Sequence, residues 1–142
     1  MLSFLFAILA GAAMSVQGVW NTRLGDKVGL WESNVLVQGV GFALALAVML
    51  CFGQGDLKQL PQTNKLYWLG GVLAPIITVT VMLSLKNLST TVAISVILIA
   101  QLLVAALIDA LGLFGQEKLS LGLWQYVGAG LMLAGVLTFK LA

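Results

Sequence analysis

Five polar side chains set within apolar runs carry most of the chemistry this sequence offers: Gln17, Asn21, Gln38, Gln101 and Asp109. Gln101, Ala105 and Asp109 recur at every fourth position, so on a helix an amide, a small residue and a carboxylate share one face. A carboxylate so placed can exchange a proton or meet a cation. Ionised at the centre of a membrane-crossing helix it costs about 3 kcal/mol, and it therefore needs a partner, water or a proton. Counted to Gly115, Asp109 lies six residues, about 9 Å, from the end of its helix, which makes it shallow rather than central. The structural alternative is a carboxylate bonded to a neighbouring helix or reaching outward. Gln17 and Asn21 are likewise four apart, with Arg23 following, and Gln38 stands in the next apolar run near the same surface. Such amides either orient a passing solute or clasp helices together, at roughly 1 kcal/mol per hydrogen bond. Glu32, beside Trp31, reads as a favourable charge at a helix N-terminus.

Other chemistry is excluded by residue type. His is absent and Cys51 is the lone cysteine, so neither a metal site, a redox pair nor an internal disulfide is expected, and no cofactor is implied. There is no G-x-x-x-x-G-K-[ST] phosphate loop, no H-E-x-x-H, and no His to complete a triad with Ser and Asp. The chain does not read as an enzyme. A net charge of +2 with scattered Lys and Arg forms no basic stripe for nucleic acid.

The elements that must position the polar groups are membrane helices. Of the residues, 61% are hydrophobic and 8% charged, and the mean hydropathy of +1.07 fits a bilayer solvent rather than water. Charge-free runs at 1–22, 33–55, 66–85, 87–108 and 119–139 are each long enough to cross a hydrocarbon core of ~30 Å. They predict five helices, at about 2–20, 33–53, 66–85, 91–114 and 121–140, in a single all-α transmembrane domain spanning 1–142. The first run resembles a secretory signal in its apolar stretch and small residues. It has no basic flank, however, and stays apolar through Val16, Val19 and Trp20, so it reads as a span. Trp20, Trp31, Tyr67, Trp68, Trp124 and Tyr126 fall at expected helix ends, where an interfacial aromatic belt belongs.

Five spans place the termini on opposite sides. Arg23, Lys27, Lys86 and Lys140 then share one side, and Lys58, Lys65 and Lys118 the other. Orientation follows a Lys/Arg excess on the cytoplasmic side, and this balance gives almost none. Either local features or other proteins set the orientation, or copies insert both ways up and pair antiparallel. An odd number of spans suits the second reading, because a tandem copy of such a unit is automatically inverted, as in the repeats of secondary transporters.

Two further features bear on packing. In "GAGLMLAGV", Gly128 and Gly135 share one face and Gly130 and Ala134 another, allowing close helix approach either within one chain or across a dimer seam. Ala7, Gly11, Ser15 and Gly18 form a second small-residue stripe, read as packing within the chain. Pro75, near the middle of the third span, removes a backbone N–H and frees the Gly71 carbonyl. A kink is expected there, with the Thr78 and Thr80 hydroxyls or neighbouring helices satisfying freed groups.

Taken together, "QGVWNTRLG", "LGGVLAP", "AQLLVAALIDALGLFG" and "GAGLMLAGV" resemble the short YdcZ-type proteins of bacterial inner membranes, over essentially the full chain. That family belongs to the drug/metabolite transporter superfamily, whose larger members join two inverted five-helix halves. The resemblance implies half of a ten-helix inverted-repeat transporter fold, working as a dual-topology homodimer or with an oppositely oriented paralogue. A weaker similarity, to the small multidrug resistance exporters, lies in the Gly-rich last helix. Their first-helix glutamate has no counterpart here, Gln17 being nearest in depth, so proton-coupled drug export does not carry over. The expectation is a secondary transporter, favouring efflux, of a small organic solute, with Gln17, Asn21, Gln38, Gln101 and Asp109 along its path. A passive channel and a non-transporting assembly partner are the alternatives.

Overall fold

The computed structural model describes residues 1–120 and 122–141, omitting the side chains of Lys140 and Leu141; Leu121, the expected first residue of the fifth helix, lies outside the described residues. It is all-α. The helices are α1 (Leu2–Val28), α2 (Leu30–Phe52), α3 (Gly70–Asn87), α4 (Thr90–Leu111) and α5 (Leu123–Leu141). Four stretches, Leu2–Val28, Leu30–Phe52, Lys65–Asn87 and Thr90–Leu111, are long and apolar enough to cross a membrane; the apolar part of α5, Leu123–Phe139, is shorter. The helices group into two compact units, Met1–Asn87 and Leu88–Ala142.

In the first unit, α1, α2 and α3 pack against one another. The link expected at residues 21–32 is helical almost throughout, and the chain reverses at Gly29 alone. Arg23, Asp26 and Lys27 do not end a helix, because charged side chains leave the backbone ladder intact and simply extend into water. Gly29 does, since its φ of 108° and ψ of 153° lie in a region essentially reserved for glycine. Its N–H still closes on the Gly25 carbonyl, and its own carbonyl accepts from Ser33 N–H. Between α2 and α3, two short 3-10 turns, Leu57–Gln62 and Lys65–Leu69, are capped by Asp56 and Asn64 side chains that accept from Lys58 and Leu66 N–H. The α-helical part of α3 therefore starts at Gly70, and Pro75 falls in its second turn, where a missing N–H is better tolerated than in a long helix interior.

The interior of this unit is small and polar. Gly18, Asn21, Ser33 and Asn34 are buried with Val79 and Met82, while most Leu, Ile, Val and Phe side chains face outward. No spanning stretch is more than 11% buried, so the apolar surface is left for lipid or another protein. In hydrocarbon, outward Leu gains nothing by burial, and helices associate through small residues and hydrogen bonds instead. Gly18 illustrates the close approach: a Cβ there would stand 3.0 Å from Leu85 Cδ1 and 3.2 Å from Val81 Cγ1. Of the expected stripe on α1 only Gly18 packs in this way; Ala7 and Gly11 are exposed, and Gly11 has open space beside it.

The second unit is the α4–α5 hairpin. Ser89 caps α4 by accepting from Val92 N–H. Gly112, left-handed at φ 63°, ends it at Leu111 rather than at 114. The connection turns through Phe114, a left-handed non-glycine residue, and Gly115, then folds back so that Leu119 N–H donates to the Asp109 carbonyl at 2.9 Å. On α5 the half-buried positions are Ala129, Met132 and Val136, which share one face.

Candidate functional site

The polar groups of the first unit collect at one level. Measured along the helices at 1.5 Å per residue, Asn21 is about 10 Å from the Val28 end of α1, Gln17 about 16 Å, Gln38 about 12 Å from the Leu30 end of α2, and Thr78 about 13 Å from the Asn87 end of α3. These three ends lie together, as a salt bridge between Asp26 and Lys86 at 3.9 Å attests. Gln17, Gln38 and Thr78 thus lie about two to three helical turns in from the shared end.

Asn34 and Gln38, one turn apart on α2, connect that helix to α3. The Asn34 amide donates to the Pro75 carbonyl at 3.2 Å. The Gln38 amide donates to Thr78 Oγ1 at 3.1 Å and, more weakly, to Asn34 Oδ1 at 3.4 Å. Thr78 passes its own proton to the Ala74 carbonyl at 3.0 Å. The chain of donors therefore ends on the Ala74 and Pro75 carbonyls of α3, whereas the carbonyl that Pro75 itself frees is that of Gly71, one turn earlier. Thr80, by contrast, bonds only its own helix, through the Ile76 and Ile77 carbonyls, and Gly71 is exposed. The chain of bonds contains no titratable group.

Thr78 also faces a cavity of about 80 Å³ between α1 and α3, shared with Gln17 and Asn21 and walled by Met14, Ile77 and Val81. Asn21 is only 7% exposed, and among the described residues no side-chain hydrogen bond reaches its amide. A second, larger pocket of about 220 Å³ opens at the end of the unit beneath the Asp26–Lys86 pair, over Gly25, Gly29 and Met82. Fully buried Ser33 adjoins Met82, donating to the Leu30 carbonyl at 2.9 Å.

Of the expected pathway residues, Gln17, Asn21 and Gln38 belong to this unit. Gln101 and Asp109 belong to α4. Gln101, in mid-helix, is exposed; Asp109 is half-buried in the last turn, two residues from the helix end, and forms no ion pair or side-chain hydrogen bond among the described residues. Gly112 makes it shallower than a helix running to 114 implies. Asn34 is missing from the expected pathway, and Thr78 is expected only as a hydroxyl able to satisfy groups freed by Pro75. The i, i+4 pairing of Asn34 with Gln38, and of Ala74 with Thr78 one residue from Pro75, was the available signal. Among the described residues no three His, Cys, Asp or Glu side chains gather as a metal site requires.

A small cavity lined by buried Asn21, half-buried Thr78 and exposed Gln17, between helices whose apolar side chains mostly face outward, is suited to passing or holding a polar solute within a membrane. No curated protein and no solved structure matches the chain. A family model does, over residues 2–138, and its description is "Putative inner membrane exporter, YdcZ". The match covers nearly the whole sequence and names a transport family rather than an enzyme family, which bears out the resemblance of the four quoted stretches. The chain is a multi-helix inner-membrane protein, and it belongs to the YdcZ family of exporters.

Proposed function

We propose that the chain is one half of a secondary exporter of a small organic solute, operating as an antiparallel, dual-topology dimer of ten helices by alternating access. The observation that carries the reading is the cavity lined by Gln17, Asn21 and Thr78 and braced by Gln38 and Asn34. Amides that only locked helices together would be paired with one another, whereas Asn21, 7% exposed, has no side-chain hydrogen bond among the described residues and keeps its amide atoms accessible beside the cavity. The direction, outward, is supported by the family description.

Dimerisation is supported by what one copy leaves uncovered. The Gln101 amide is exposed in the middle of α4, and hydrocarbon is a poor solvent for it. Gly130 and Ala134 lie roughly 150° around α5 from its half-buried face, and no atom comes within 4 Å of a Cβ built on Gly128, Gly130 or Gly135. An inverted second copy, or an oppositely inserted paralogue, would cover the amide and use the small-residue surfaces. The near-equal Lys/Arg distribution permits both insertions. Asp109 is then the candidate charge switch.

The test is topological and functional. C-terminal reporters active on only one side of the membrane should signal from both sides, and single-Cys variants on α5 should crosslink antiparallel. Purified protein in liposomes should move solute saturably and against a gradient. Unsaturating, voltage-driven current would make it a channel; absence of flux with a stable hetero-complex would make it an assembly partner.

A further inference from the structure

The lining of the α1–α3 cavity restricts what its occupant can be. Its polar groups are two amides and a hydroxyl, and among the described residues no ionisable side chain borders it. Arg23 follows Asn21 by two positions, which turns it roughly 200° away around α1, and it is exposed. Asp26 and Lys86 border the other pocket, where they pair with each other. A charged group entering this half-open cavity would lose part of its hydration and meet no counter-charge, a penalty in surroundings of low dielectric constant.

Hydrogen-bonding capacity narrows the choice further. Thr78 has committed its proton to Ala74 and already accepts from Gln38, so it offers only a remaining lone pair. Asn21, more than nine-tenths buried, offers both N–H donors and its carbonyl oxygen, and Gln17 adds a second amide at the more exposed end. A cavity of about 150 Å³ holds benzene, with six heavy atoms, so one of about 80 Å³ suits three or four.

We propose that this cavity recognises an uncharged head group of about four non-hydrogen atoms carrying both a donor and an acceptor, such as a primary carboxamide. The specificity rests on the transport reading above but is testable without transport. Three isosteric probes differ at neutral pH in charge and in their donors and acceptors: acetamide has both, acetate only acceptors and acetamidinium only donors. They are titrated into the ¹⁵N-labelled full chain in lipid nanodiscs while the side-chain amide signals of Asn21 and Gln38 are followed, assigned through Asn21→Ser and Gln38→Leu. Acetamide should shift the Asn21 signal saturably, at concentrations at least about tenfold below either charged probe. In Asn21→Asp, read through Gln38, the preference should pass to acetamidinium. Equal or stronger response to a charged probe overturns the proposal. So does the lack of saturable response to any of the three, which would leave the cavity to water. Binding of acetamide without flux of any solute would instead refute the exporter reading and leave this one standing. Flux with a charged probe bound best would refute this one alone.

Discussion

Replacing Gln38 with Leu and Thr78 with Val, singly and together, isolates the hydrogen bond that ties α2 to α3. Gln38→Leu removes the 3.1 Å bond to Thr78 and the weaker 3.4 Å contact to Asn34, whose carbonyl oxygen has no other side-chain donor among the described residues and belongs to a residue only 4% exposed. Interhelical hydrogen bonds in membrane proteins average about 0.6 kcal/mol and reach about 1.7. Leaving the enclosed Asn34 oxygen unmatched adds about 1 kcal/mol or more. The single variant should therefore lose about 1.5–2.5 kcal/mol of stability. Thr78→Val also removes the bond to the Ala74 carbonyl, but that bond lies within α3 and cancels in the cycle. The coupling between Gln38 and Thr78 should then be about 0.6–1.7 kcal/mol. Thr80→Val is the control, because its hydroxyl bonds only carbonyls of its own helix, and its coupling to Gln38 should be within about 0.5 kcal/mol of zero. Unfolding by SDS in mixed micelles, followed by tryptophan fluorescence, supplies the four free energies of each cycle. A Thr78 coupling no larger than that of Thr80 would show that α2 and α3 are not joined through this bond, and the network built on it would fall.

Gly29→Ala should destabilise by about 1–3 kcal/mol in the same unfolding assay, since alanine must hold a glycine-only conformation and its methyl would collide with the Glu32 carboxylate. Asp26→Asn should lower stability by less than about 1 kcal/mol, an effect that disappears in high salt, because the pair with Lys86 is 3.9 Å long and both partners are largely exposed. Gly130→Leu should leave the stability of one copy within about 0.5 kcal/mol of wild type, there being open space around it, yet abolish α5 crosslinking between copies; preserved crosslinking would place the seam elsewhere. Asp109→Asn should remove any pH dependence of liposome flux if this carboxylate is the charge switch, and leave the profile unchanged if its role is structural.

The apolar runs made the helices legible, because bilayer thickness dictates their length. Their ends were harder to read. Residues 21–28 carry three charges and look like a loop, but hydrogen bonding along the backbone decides where a helix stops, and only Gly29 interrupts it. The same logic misplaced the end of α4: an apolar run through Phe114 conceals Gly112, which turns left-handed and strands Asp109 in the last turn. Of the polar groups, Gln17, Asn21 and Gln38 were visible as exceptions to hydropathy, and the structure gathers them in one unit. Thr78 was legible only as a partner for groups freed by Pro75, because a hydroxyl bonded to its own helix costs little in lipid and does not stand out from hydropathy. Its pairing with Gln38 spans forty residues of chain, a separation over which helix periodicity says nothing about facing partners.

The Asn34–Gln38–Thr78 chain has a consequence for how a membrane protein meets its surroundings. The two faces of an energised membrane differ in acidity and in electrical potential. A site assembled from carboxylates or imidazoles would take on a different character according to which face it opened toward. Carboxamides and a hydroxyl hold the same protons on either side and carry no net charge for the potential to act upon. The chain ends on the Ala74 and Pro75 carbonyls, which can only accept, at any pH. A hydrogen-bonded chain built in this way is chemically blind to which side of the membrane it faces, whatever the charged residues at the ends of its helices do.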